Sequence, residues 1–167
     1  MPLLLGTLMV PSVASAQPSR EYDLKAAFLY NFTSFVEWPP QALREETAPF
    51  VVGILGRDPF GPVLDQLVAG ERAKNRPLVI RRFTRLDEIA DCHILFVSTS
   101  EHGRLREVLR HCAGRAILTV GDRPNFADAG GMIAFGTEGD RIVLYVNLHA
   151  VEAAELVVSS KLLRVAR

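Results

Sequence analysis

CHILFVSTSEHGRLREVLRHCAGRAILTV, residues 92–120, reads as a strand, a helix and a second strand. The run at 93–97 is of strand length and apolar. Leu105, Val108, Leu109 and Cys112 then recur at helical spacing, and 115–120 is the next apolar strand. A helix between two such strands is a crossover connection, which lays them parallel in one sheet.

Working outward from this unit, the same alternation continues. FVVGIL (50–55) is an apolar strand, and Asp58 and Pro59 after it predict a helix start with a cap and a proline at the first position. RPLVIRRF supplies a strand over about 77–83, and TRLDEIADC a short helical connection. GDRPNFADAGG is turn-rich, with room for one helical turn at most. MIAFGT and RIVLYVNL flank EGD as an antiparallel hairpin. A first helix is expected over 21–36 and a long final helix over 148–166. The fold expected is α/β: a single domain with a mostly parallel sheet, helices on both faces, a C-terminal antiparallel hairpin and that long final helix.

At 167 residues with 49% hydrophobic content, the chain suits one globular domain. Lys+Arg and Asp+Glu balance at 19 each, which leaves no electrostatic footprint for nucleic acid or an anionic membrane. MPLLLGTLMVPSVASA (1–16) carries no charge, has an apolar centre and ends in Ala-Ser-Ala. That pattern predicts a secretory signal cut before Gln17, leaving 17–167 as an exported domain. It lacks a basic start, and a buried N-terminal strand or helix is the other reading. The apolar run is too short to span a bilayer, so no membrane insertion is expected.

Cys92 and Cys112 flank the crossover unit, and its antiparallel helix returns Cys112 to the strand end where Cys92 stands. A disulfide there would contribute about 3 kcal/mol. His93 and His111 adjoin the two cysteines, but neighbouring residues on a strand or helix diverge, so four ligands would not converge on a metal. Two buried free thiols are the remaining reading.

The sheet's carboxyl ends are where such folds bind ligands. The loops there offer Arg57, Asp58, Ser98, Ser100 and Asp122 as candidate ligand residues. Gly56 and Gly61 lack the Lys-Ser/Thr of a phosphate loop. No G-x-S-x-G elbow occurs, and the histidines at 93, 102, 111 and 149 have no ligand spacing. Ser98, Thr99 and Ser100 read as a helix cap, and Ser159-Ser160-Lys161 as helix packing. The residues therefore point to no catalytic set, metal or cofactor.

In YDLKAAFLYNFTSFVEWPP (22–40), Leu24, Ala27, Phe28, Asn31, Phe32, Phe35 and Trp38 are expected on one buried face. Tyr30 falls on the polar side. On the final helix, Leu156 and Leu163 form a stripe apart from Val151, Ala154, Val158, Leu162 and Val165. It either packs on the first helix or meets another chain. Tyr30, Trp38, Leu156 and Leu163 are thus the candidate interface.

The blocks YDLKAAFLYNFTSFVEWP, VGILGRDPFGPVLDQL, CHILFVSTSE, ILTVGDRPNFADAGGMIAF and RIVLYVNLHAVEAAELVVSSKLLRVA resemble the YfiR family of periplasmic regulators, in family order. That resemblance implies an exported, non-enzymatic α/β domain. It implies a protein that binds the periplasmic part of an inner-membrane diguanylate cyclase and holds it inactive, lowering cyclic-di-GMP. It also implies release by envelope stress or redox change, although this chain has cysteines for one bridge only. Binding to a second copy of itself, a small-ligand sensor and an enzyme on the same scaffold are the other readings.

Overall fold

Seven strands make one sheet, in the spatial order 72–73, 76–83, 50–55, 94–97, 118–121, 133–138 and 141–146, in a computed structural model that describes residues 17–123 and 125–167. The expected signal segment, 1–16, lies outside the described residues. The elements run α1 (Gln17–Phe35), β1 (Val36–Glu37), β2 (Phe50–Leu55), α2 (Pro62–Val68), β3 (Arg72–Ala73) and β4 (Arg76–Phe83). β5 (Ile94–Val97), α3 (Leu105–Cys112), β6 (Leu118–Gly121) and α4 (Asn125–Asp128) follow. The chain ends with β7 (Ile133–Glu138), β8 (Arg141–Val146), α5 (Leu148–Ala153), β9 (Val157–Val158) and α6 (Ser160–Leu163).

β4, β2, β5, β6 and β7 are mutually parallel, and β7 and β8 form the expected antiparallel hairpin. Strand alternation divides the core. Phe50, Val52 and Ile54 of β2, with Ile94 and Phe96 of β5, face α1, α2, α5 and α6. Val51, Leu55, Leu95 and Val97 face the other way, against Val108 of α3 and Phe126 of α4. Gly53 has no side chain for a reason: a Cβ there would lie 2.7 Å from the Cys92 sulfur and 2.6 Å from the Phe83 ring.

Three expectations are corrected. The helix after β2 starts at Pro62, not Pro59, because Asp58 accepts from the Phe60 N–H (2.7 Å) and closes a turn first. The buried face of α1 is Lys25, Ala26, Leu29, Phe32 and Thr33, continued by Val36. Asn31 and Leu24 are exposed, so the face is turned from the one predicted. Burying each large apolar member of it contributes roughly 1.5–3 kcal/mol.

The long final helix does not exist. α5 ends at Ala153, and Glu155 takes a left-handed backbone (φ 59°), which ends one helix and re-aims the chain. Val157 and Val158 then pair antiparallel with Glu37 and Val36 as a two-stranded ribbon. The Ser159 side chain caps a fresh helical turn by accepting from the Leu162 N–H.

Candidate functional site

The strand carboxyl ends, the first place to look for a ligand, are closed by α1. Lys25 is buried among apolar side chains and its ammonium meets Asp122 at 2.5 Å, both side chains being 4% exposed. Glu21 contacts the same ammonium one helical turn away. The Tyr22 hydroxyl donates to the other Asp122 oxygen at 2.6 Å, and its ring stands edge-on to Phe60. Burial, then the hydrogen bond to Asp122, pushes the Tyr22 phenol well above its ordinary value. A buried charge needs a partner, and here each charge supplies the other's.

The other loop residues are likewise used locally. The Ser98 hydroxyl caps the turn at 99–104, and the Ser100 hydroxyl accepts from the Arg57 N–H (2.9 Å) while donating to Glu101 (3.2 Å). Asp58 pairs with Arg82 at 2.7 Å, and the Arg57 side chain is exposed. The space between Ser98, Asp122 and Phe126 is only about 20 Å³, about the room for one water. Thus Arg57, Ser98 and Ser100 do meet at one corner, but around turn-closing bonds, with Asp122 committed to α1.

The interface candidates separate. Trp38 is 6% exposed, standing edge-on to Phe50 at 4.9 Å with its indole N–H donating to the His93 carbonyl (3.2 Å). Leu156 is 2% exposed, because the break at Glu155 turns it inward. Neither is available as an exposed anchor, a correction to the expected set. Leu163 is half-buried against the core, and Tyr30 is half-exposed with its hydroxyl donating to Glu71 at 3.0 Å.

What the sequence reading missed lies beside Tyr30. Glu71 precedes β3, and Lys74 in the following turn pairs with Glu37 of β1 at 2.8 Å, its ammonium over the Trp38 ring. Glu37 faces Val157 across the ribbon, and Val157 is 63% exposed. Tyr30, Glu71, Lys74, Glu37 and Val157 therefore form one connected outer surface, half aromatic and aliphatic, half ion-paired. The one available signal was the β-branched pair Val157-Val158 inside a predicted helix.

Cys92 and Cys112 lie in the same core cluster, as free thiols. The Cys92 thiol donates to the Ile94 carbonyl at 2.8 Å. Burial disfavours ionisation and raises both pKa values: Cys92 well above its ordinary range, and Cys112 up to about 11. Next to Cys92, His93 pins the loop before β2. Its Nδ1 accepts from the Val51 N–H (3.1 Å), its Nε2 lies 3.3 Å from the Ala42 carbonyl, and its ring stacks on Phe50. These contacts require the neutral ring protonated on Nε2. Burial, its largest influence, accordingly lowers the pKa of the ring below its ordinary value.

The geometry defines a single-domain mixed α/β protein whose strand carboxyl ends are sealed by its own first helix. The family model described as YfiR/HmsC-like matches residues 22–167, and the chain belongs to that family. No curated protein matches it. Among the described residues, no helix is long and apolar enough to cross a membrane.

Proposed function

We propose that this chain is an exported, non-enzymatic regulator that binds the periplasmic part of an inner-membrane diguanylate cyclase and holds it inactive, lowering cyclic-di-GMP. The observation that carries this reading is the family match over 22–167. The arrangement of the site supports it. The usual ligand position of the sheet is filled by Lys25 and Tyr22, whereas the exposed Val157 and the half-exposed Tyr30 offer anchors on one surface. A few large side chains carry most interface energy, and tyrosine is over-represented among them. Leu163 stands as a further candidate at the edge of α6.

The test is genetic and structural together. Deleting the gene should raise cyclic-di-GMP, and restoring the wild-type chain should lower it again. Val157→Glu and Tyr30→Ala should fold, by circular dichroism and melting, yet restore repression poorly. Unchanged cyclic-di-GMP after deletion would overturn the regulatory reading. Full repression by both variants would overturn the placement of the surface. Leu156→Glu, by contrast, should fail by unfolding, because it places a carboxylate in the core.

A further inference from the structure

The opposite end of the sheet carries a cleft of about 1070 Å³, across the amino ends of β2, β4, β5 and β6. Its floor includes Val51, Cys92, His93 and Ile117, and the loop that follows β1 forms one wall. Clefts that hold small ligands run roughly 300–1,000 Å³. Four arginines line this one: Arg44, Arg76, Arg81 and Arg115. None of them belongs to an ion pair among the described residues.

Arg76 is the anomaly that decides the reading. It is 5% exposed, and its guanidinium donates to the carbonyls of Leu43, Glu45 and Ala48, the last at 3.3 Å. Its hydrogen bonds are satisfied, but its charge is not, and a buried cation without a counter-ion is costly. The other buried charges of the described residues, Lys25 and Glu101, each have an opposite charge in contact. The cleft's own carboxylates, Glu45, Asp91 and Glu155, are exposed, and Glu155 accepts from the Gln41 amide at 3.1 Å. Neutral His93, with both ring nitrogens committed, adds no negative charge.

We propose that this cleft binds a small ligand carrying multiply charged oxyanion groups, of the phosphate or polycarboxylate kind. Arg76 supplies the buried charge at the wall. Arg44, Arg81 and Arg115 close on the anion from the rim, where guanidinium forks match such groups in pairs. The site is distinct from the outer surface of Tyr30 and Val157, so either proposal can fail without the other.

Inorganic pyrophosphate and citrate are the probes, titrated by calorimetry into the purified full chain at constant ionic strength. Wild type should bind at least one of them at millimolar concentration or better, with a matching rise in melting temperature. Arg44→Ala and Arg115→Ala alter exposed side chains and should fold normally. Each should weaken binding about tenfold, the scale of one charged hydrogen bond. The His93 ring resonances should shift with either probe in wild type. If neither probe binds or moves those resonances, the proposal is overturned. Binding that persists at full strength in both folded variants would overturn it equally.

Discussion

Asp122→Asn is the sharpest probe of the way α1 is held. The substitution keeps the shape and one oxygen acceptor for the Tyr22 hydroxyl, and removes only the charge facing Lys25. Lys25 would then keep Glu21, whose side chain is 36% exposed and so solvated. Removing one partner of a buried pair costs roughly 3–5 kcal/mol, and the remaining Glu21 places the loss at the lower end, about 3 kcal/mol. For a chain of this size that lowers the melting temperature by roughly 6–12 °C. With a urea slope of about 2 kcal/mol per molar, the midpoint should fall by about 1.5 M. The double variant Lys25→Met with Asp122→Asn removes both charges and should recover most of the loss, to within about 1 kcal/mol of wild type. Urea unfolding followed by circular dichroism measures all of these on one instrument. A single variant within about 0.5 kcal/mol of wild type, or a double variant less stable than the single, would refute the pairing as the clamp on α1.

His93 sets a pH dependence. Burial makes the folded chain resist protonation there, with the Ala42 carbonyl opposing it, Arg76 adding to it and Asp91 opposing it, while the unfolded imidazole takes a proton near its ordinary 6.5. Stability from this group is therefore full above about pH 6.5 and falls as pH drops below it, until the folded value is passed. His93→Gln should flatten that limb of the urea-midpoint profile; an unchanged slope would count against the assignment. For Cys92 and Cys112, we propose that exchange with an oxidising protein disulfide, which takes up their two electrons and two protons, joins them, and slowly once the chain has folded, because buried thiols present little thiolate. Peptide mapping of unreduced protein taken from the periplasm should find them linked. Two alkylatable thiols after denaturation of that sample would refute the bridge.

The parallel core was legible because apolar strands of four to eight residues alternate with helical spacing, and 92–120 alone identifies the unit. The hairpin at 133–146 was legible from Gly139 between two β-rich runs. Two features were hidden by the same cause, a tertiary partner overriding local pattern. The apolar periodicity of α1 runs straight through Lys25, and a lysine reads as solvent-facing unless Asp122, from far along the chain, is known to meet it. Val157 and Val158 sit in a stretch that reads as continuous helix, and only pairing with Val36 and Glu37 draws them out as a strand. The family blocks located the chain among its relatives but not its exposed surface. Exposure of Trp38 and Leu156 depends on His93 and Glu155, whose effects are conformational.

The ribbon of β1 and β9 has a consequence for how the chain is made. Its two halves flank the whole seven-stranded sheet in sequence, and Arg167 donates its N–H to the Leu144 carbonyl. Such closures depend on contacts distant in sequence, which form slowly because a large loop must be ordered first. A nascent chain lacks Val157 and Val158 until long after Val36 and Glu37 have been made, so β1 has no ribbon partner during that interval. Until that pairing forms, the segment between the two strands is not latched at this edge, so the ribbon closes as a late step of folding.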